Sequence, residues 1–118
     1  SFSYINTIFF LFVYSKMPKA VLLHEEYRNH TELELNIEPS KNEIFKLLGG
    51  PATFIGQWPD IEVVIMKNTI GGEDNLNKLP KPFENEKTCG KILLVRMDED
   101  SEQRDFTLRD YRHFVRGM

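Results

Sequence analysis

A chain of 118 residues, 41% hydrophobic and 28% charged, has the make-up of one globular domain and excludes a wholly disordered chain. A formal charge of −3 and a pI of about 5.6 exclude a broad basic field that coats nucleic acid and leave room only for a local patch. The single cysteine, Cys89, excludes an intrachain disulfide framework and a Cys-based zinc cluster, and fits an intracellular protein.

Residues 1–16 differ in kind from the rest. They carry Phe2, Tyr4, Phe9, Phe10, Phe12 and Tyr14, with no Gly, Ala, Pro, Arg, Asp or Glu. The apolar run is shorter than the roughly 20 residues a membrane helix needs, and it lacks the basic opening and small-residue close of a signal peptide. Phe, Ile, Asn, Lys and Tyr all have codons made of A and T alone, and the chain opens with Ser1. These residues therefore read as a non-domain leader, untranslated AT-rich DNA read in frame ahead of a true start at Met17, with a packed amphipathic strand or helix and a membrane anchor as the other readings. The expected domain is residues 17–118.

From Lys19 to Glu26 a short strand runs through Ala20, Val21, Leu22 and Leu23 into polar residues. Thr31 to Ile37 alternates Leu33, Leu35 and Ile37 with Glu32, Glu34 and Asn36, the period of a half-buried strand, so the pair reads as a hairpin. Pro39 ends it, and Ser40 stands three residues before Glu43 at capping-box spacing, which predicts a helix. Ile44, Leu47 and Leu48 share one side of it, with Phe45 at the margin, and Gly49, Gly50 and Pro51 close it. Thr53 to Trp58 and Ile61 to Lys67 are two more strands around the turn residues Pro59 and Asp60. The second is apolar on both faces near its middle and reads as a central strand.

Residues 68–88 form a long irregular stretch of a kind that tends to be functional or mobile. Leu79, Pro80, Pro82 and Phe83 tuck one end onto the domain, leaving Gly71 to Asp74 as the expected mobile tip. Cys89 to Val115 is the stretch around which the fold is organised. Lys91 to Met97 is a strong strand, Asp98 to Arg104 a charged reversal, and Thr107 with Asp110 a variant capping box for a final helix whose apolar face holds Leu108, Tyr111 and Val115. The order is ββαββ, loop, βα. The fold class is α+β: a mainly antiparallel sheet of about five strands, one helix across it and a second at its edge or on the same face, with a β-grasp-like core.

Several clusters invite a chemical reading. His24, Glu25, Glu26 and His30 have metal-ligating side chains, but a strand end sends alternate residues to opposite sides, and a solvated hairpin end outweighs a metal site. Asp98, Glu99, Asp100, Glu102 and Asp105 follow a strand, where nucleases present magnesium ligands; such an enzyme needs partners from Asp60, Glu62, Glu73 or Asp74. A solvated turn that also favours the helix dipole is the plainer reading. Arg109, Arg112 and Arg116 share a helix face that suits phosphates or an acidic partner, or is simply the exposed side of an amphipathic helix. Gly71 and Gly72 lack the Lys-Ser or Lys-Thr pair of a phosphate loop. Cys89 reads as a small buried residue.

The series LLGG (Leu47 to Gly50), VVIMKN (Val63 to Asn68), LPKPF (Leu79 to Phe83), GKILLVRMDED (Gly90 to Asp100) and DFTLRDYRHF (Asp105 to Phe114) resembles a family of small proteins of bacteriophages and of large DNA viruses of algae, known as a domain of unknown function. The resemblance implies a small α+β domain and a viral or marine microbial source, and assigns no catalytic residue. The expectation is a binding or accessory protein, intracellular and without cofactor, metal or membrane association. It meets a protein partner, an anionic partner such as nucleic acid through weak contacts, or a second copy of itself. The contacts are expected at Arg109, Arg112 and Arg116 or at Gly71, Gly72 and Asn75. The alternative is a metal-dependent phosphoesterase or nuclease acting through the acidic turn.

Overall fold

The structure, a computed structural model, describes residues 17–117. The expectation of a leader at residues 1–16, ahead of a start at Met17, falls on residues outside those described. In chain order the elements are β1 (Lys19–Leu23), β2 (His30–Glu34), a 3₁₀ turn (Pro39–Lys41), α1 (Glu43–Leu48), β3 (Ala52–Trp58), a second 3₁₀ turn (Pro59–Ile61), β4 (Val63–Asn68), β5 (Ile92–Met97), β6 (Gln103–Arg104) and α2 (Leu108–Arg116).

One antiparallel sheet runs β2-β1-β5-β4-β3, with β6 also on β5. It has six strands rather than about five because the charged reversal returns Gln103 and Arg104 against Met97 and Arg96. The order therefore ends ββα. The β-grasp arrangement is not formed: it needs a parallel central pair, whereas here β5 lies between β1 and β4 and is antiparallel to both. β4 is central, as its two apolar faces require.

Alternation along the strands divides the core in two. Val21, Leu23, Val63, Ile65, Ile92 and Leu94 point to one face, where Leu79, Phe106 and Tyr111 cover them. Ala20, Leu22, Met66, Leu93 and Val95 point to the other, under Leu35 and Leu48. The helices consequently sit on opposite faces, which corrects the expectation of a last helix at the edge or on the same face. A sheet whose middle strands are apolar on both sides must be covered on both. Among the described residues no helix is long and apolar enough to cross a membrane.

Local chemistry shapes the connections. The Ser40–Glu43 capping box does not form, because Ser40 lies inside the 3₁₀ turn that Pro39 opens and Glu43 Oε1 instead accepts from the Asn36 backbone N–H at 3.2 Å. The α1 terminus behaves as expected: Gly49 takes a left-handed φ of 75° and donates to the Phe45 carbonyl. Asn68, buried to 8% exposure, donates from Nδ2 to the Leu48 carbonyl at 3.0 Å and accepts from Ile70 N–H at 2.9 Å. The Thr107–Asp110 box forms at 3.1 and 3.0 Å, and Glu32 adds a third cap by accepting from Leu108 N–H at 2.9 Å. β1 stops at Leu23 rather than Glu26, since His24 N–H donates to the Asn29 carbonyl at 2.8 Å and closes the hairpin turn.

A shift of register between Phe54 and Gly56 bulges β3 at Ile55. Ile55 and Phe83 both pack on the first core face, and the Phe83 ring occupies the space a Gly56 side chain would fill. Leu79, at 2% exposure, is the deeper anchor of the same loop. Gly56→Ala is expected to destabilise the protein by about 1–3 kcal/mol, the usual cost of overpacking. Adding Phe83→Leu should recover part of that loss. Urea denaturation of both variants checks this, and an unchanged midpoint for Gly56→Ala would show that the ring is not held there.

Candidate functional site

β4 and β5 are adjacent and antiparallel, yet residues 69–91 make a long excursion between them, and two asparagines direct its course. Leu76 N–H donates to the Glu25 carbonyl at 2.8 Å, which brings the loop beneath the β1–β2 turn. Asn75 Nδ2 donates to the Gly90 carbonyl at 2.9 Å and the Leu23 carbonyl at 3.2 Å, and its Oδ1 accepts from Asn77 N–H at 2.9 Å. Asn77, at 7% exposure, fills the hairpin turn itself. Its Nδ2 donates to the carbonyls of His24 at 2.6 Å and Glu26 at 2.9 Å, and its Oδ1 accepts from Arg28 N–H at 2.8 Å and His30 Nε2 at 2.9 Å.

These partners fix which ring nitrogen donates. Carbonyl oxygens only accept and the Arg28 N–H only donates, so the Asn77 amide has one orientation, and His30 must carry a proton on Nε2 to meet Oδ1. Asn75, expected to contact a partner, spends its amide inside the fold. Gly71 adopts a φ of 93°, and a Cβ on Gly72 would lie 3.3 Å from Gly90 Cα, so the pair serves a close backbone approach. The tip expected to be mobile is tied down by the Asp74–Cys89 bridge and by a 2.7 Å bond from Gly90 N–H to the Glu73 carbonyl.

With the turn so held, Arg28 and His30 face the end of α2. Together with Tyr111, Arg112, Val115 and Arg116 they line a cleft of about 380 Å³. Arg112 and Arg116 are one helical turn apart and share a face. The His30 and Tyr111 rings meet edge to face at a centroid distance of 5.5 Å. Tyr111 is 3% exposed, and burial pushes its phenol up to about 12, so the hydroxyl keeps its proton at neutral pH. Among the described residues Arg28, Arg112 and Arg116 form no ion pair. Arg109 is exposed on the same helix but does not line the cleft. Beyond Val115 a second hollow continues between Lys78, Pro80, Lys81 and Glu84.

The acidic run does not gather into a site. Asp98 Oδ1 accepts from the N–H groups of Asp100 and Glu102, both at 2.9 Å, and Oδ2 pairs with Arg104 Nε at 2.8 Å. The Glu102 N–H foremost, and then the Arg104 guanidinium, hold the Asp98 carboxyl below its ordinary range. Asp105 accepts from Lys19 N–H at 2.9 Å, and Glu62 pairs with Arg96 at 3.7 Å. Asp60 lines a different hollow with Arg96, Asp110 and His113. His24 shares a 2.9 Å hydrogen bond with the Thr31 hydroxyl, and Glu25 pairs with Lys91 at 3.4 Å. Among the described residues no three His, Cys, Asp or Glu side chains come together as metal ligands would. Cys89, expected to be buried, is half-buried with Sγ 3.5 Å from Asp74 Oδ1.

Residues 21–114 match the model of a family of unknown function, DUF5880. The chain belongs to that family. No curated protein and no solved structure matches it. In this DUF5880 chain the matched span holds Arg28, His30, Asn77, Tyr111 and Arg112, and stops just before Val115 and Arg116.

Sequence reasoning singled out Arg112 and Arg116 but missed Arg28, His30 and Asn77 as parts of one arrangement. The available signal was Asn75-Leu76-Asn77, an apolar residue between two amides in a loop. Nothing in local spacing connects Asn77 to Arg28, which lies 49 residues away.

Asn77→Ala strips the turn of its buried partners and should cost about 1–3 kcal/mol. Urea denaturation measures the loss, and faster hydrogen exchange at the Arg28 amide should accompany it. Unchanged exchange there would mean that the turn holds itself. For Asp98, a folded-state pKa below the ordinary 3.8 gives a stabilisation fully present above that value and lost as pH falls through the lower folded value. Asp98→Asn should therefore lose less stability than the parent chain over that window. Parallel curves of unfolding free energy against pH would contradict this.

Proposed function

We propose that this chain is a non-enzymatic binding or accessory protein that engages an anionic partner through the cleft between the β1–β2 turn and α2. The observation that carries the reading is the convergence of Arg28, His30, Arg112 and Arg116 around Tyr111 and Val115. The three arginines have no ion-pair partner among the described residues. Like charges held together repel, and an arriving anion relieves that repulsion and gains charge-assisted hydrogen bonds from the guanidinium forks. On a chain of net charge −3 this positive face is local, which suits recognition of one partner rather than general polyanion coating.

The competing reading, a metal-dependent phosphoesterase or nuclease on the acidic turn, finds no supporting geometry among the described residues, where Asp98 is committed to its own turn and to Arg104. The proposal includes an intracellular setting, supported by the single cysteine. It also includes a viral source, which rests on the motif series from Leu47 to Phe114.

Retention on immobilised heparin tests the charge reading. The parent chain should bind at low salt and elute as salt rises, Arg112→Ala/Arg116→Ala should elute markedly earlier, and Arg109→Ala should elute close to the parent. A parent chain that flows through at low salt would sink the proposal.

A further inference from the structure

We infer that the anionic partner is a single-stranded nucleic acid, whose phosphates follow the track Arg28, Arg112, Arg116, Lys78 and Lys81 while a base stacks on Tyr27. The inference rests on the anion-binding reading above and narrows it by three observations.

The positive surface is longer than one anion. The cleft lined by Arg28, Arg112 and Arg116 shares Val115 with the neighbouring hollow, which adds Lys78 and Lys81. Among the described residues Glu84 is the only carboxylate lining either. An isolated phosphate or small acid neutralises one end of such a track, whereas a chain of regularly spaced charges meets it along its length.

Tyr27 supplies what a merely acidic partner does not use. Its side chain is 63% exposed, beside the cleft in sequence and in space, and the Arg28 guanidinium carbon lies 5.1 Å from its ring centroid. A basic groove flanked by an exposed aromatic ring is the combination that binds unpaired strands, because every base offers a face to stack. In a duplex those faces are covered by neighbouring bases.

A donor at the floor completes the site. Tyr111 lines the cleft at 3% exposure. Its hydroxyl has no hydrogen-bond partner among the described residues. In the inferred complex it donates to a phosphate oxygen held by Arg28 and Arg112.

The test is fluorescence anisotropy with the full chain and a labelled oligothymidylate of about twelve nucleotides. An oligoglutamate peptide of equal length and a duplex serve as competitors. The oligothymidylate should bind at least about tenfold more tightly than either competitor. The logarithm of its association constant should fall against log salt with a slope of about −3.5 if all five cations contact phosphate.

Tyr27→Ala removes an exposed side chain and should weaken the oligothymidylate by about 5- to 150-fold, with the heparin elution position and the urea midpoint unchanged. Equal or tighter binding of the peptide or duplex, or no effect of Tyr27→Ala, overturns the inference. If heparin retention still depends on Arg112 and Arg116 in that event, the anion-binding reading stands alone. If that dependence is also absent, both fall.

Discussion

β5 has no side turned to water. Ile92, Leu93, Leu94 and Val95 are each 0% exposed, two on each face of the sheet, and the strand bonds to β1 on one side and β4 on the other. It joins two hairpins that would otherwise be separate ribbons, and isolated two-stranded ribbons are marginal in water. Burial of consecutive residues on both faces also dictates the layers, because each face needs its own cover. α2 and the loop anchors Leu79 and Phe83 supply one. α1 and Leu35 supply the other.

The position of β5 explains the long loop. A tight turn would join β4 to β5 with few residues, yet it would leave the face over Trp58 and Ile65 without Leu79 and Phe83. The excursion supplies that cover, and on the way it carries Asn75 and Asn77 into the backbone of the first hairpin. Their amides replace hydrogen bonds that water would otherwise provide, so the loop and the hairpin turn hold each other in place. Scaffold and cleft are therefore one construction. Asn77 orients Arg28 and His30, while Glu32 on β2 caps the start of α2 and Tyr111 packs against His30. Both walls of the cleft are referenced to the same edge of the sheet.

The charged features divide according to how their polar atoms are used. The acidic turn closes on itself: the Asp98 carboxylate satisfies two backbone donors and Arg104, which leaves little capacity for a ligand. The arginines around Tyr111 and Val115 have no such internal demand among the described residues. Unspent hydrogen-bonding and charge, more than charge density, sets the arginine surface apart from the acidic turn.

Much of the scaffold was legible in the order of residues. Alternation of Leu33 and Leu35 with Glu32 and Glu34, the two apolar faces of β4, Gly49 after α1 and the Thr107–Asp110 box all act within a few residues, so composition and spacing suffice to specify them. The Ser40 box failed because Pro39 offered a competing local structure that spacing alone does not weigh. β6, the opposite placement of the helices and the burial of Asn77 depended on which segments lie side by side. The cleft is the extreme case. Its two halves, Arg28 with His30 and Arg112 with Arg116, stand more than eighty residues apart in the chain. A buried amide from a third segment aligns one half and the packing of Tyr111 the other. Side-chain periodicity carries no information across such separations, because the contacts arise only when β5 draws both ends of the chain onto one sheet.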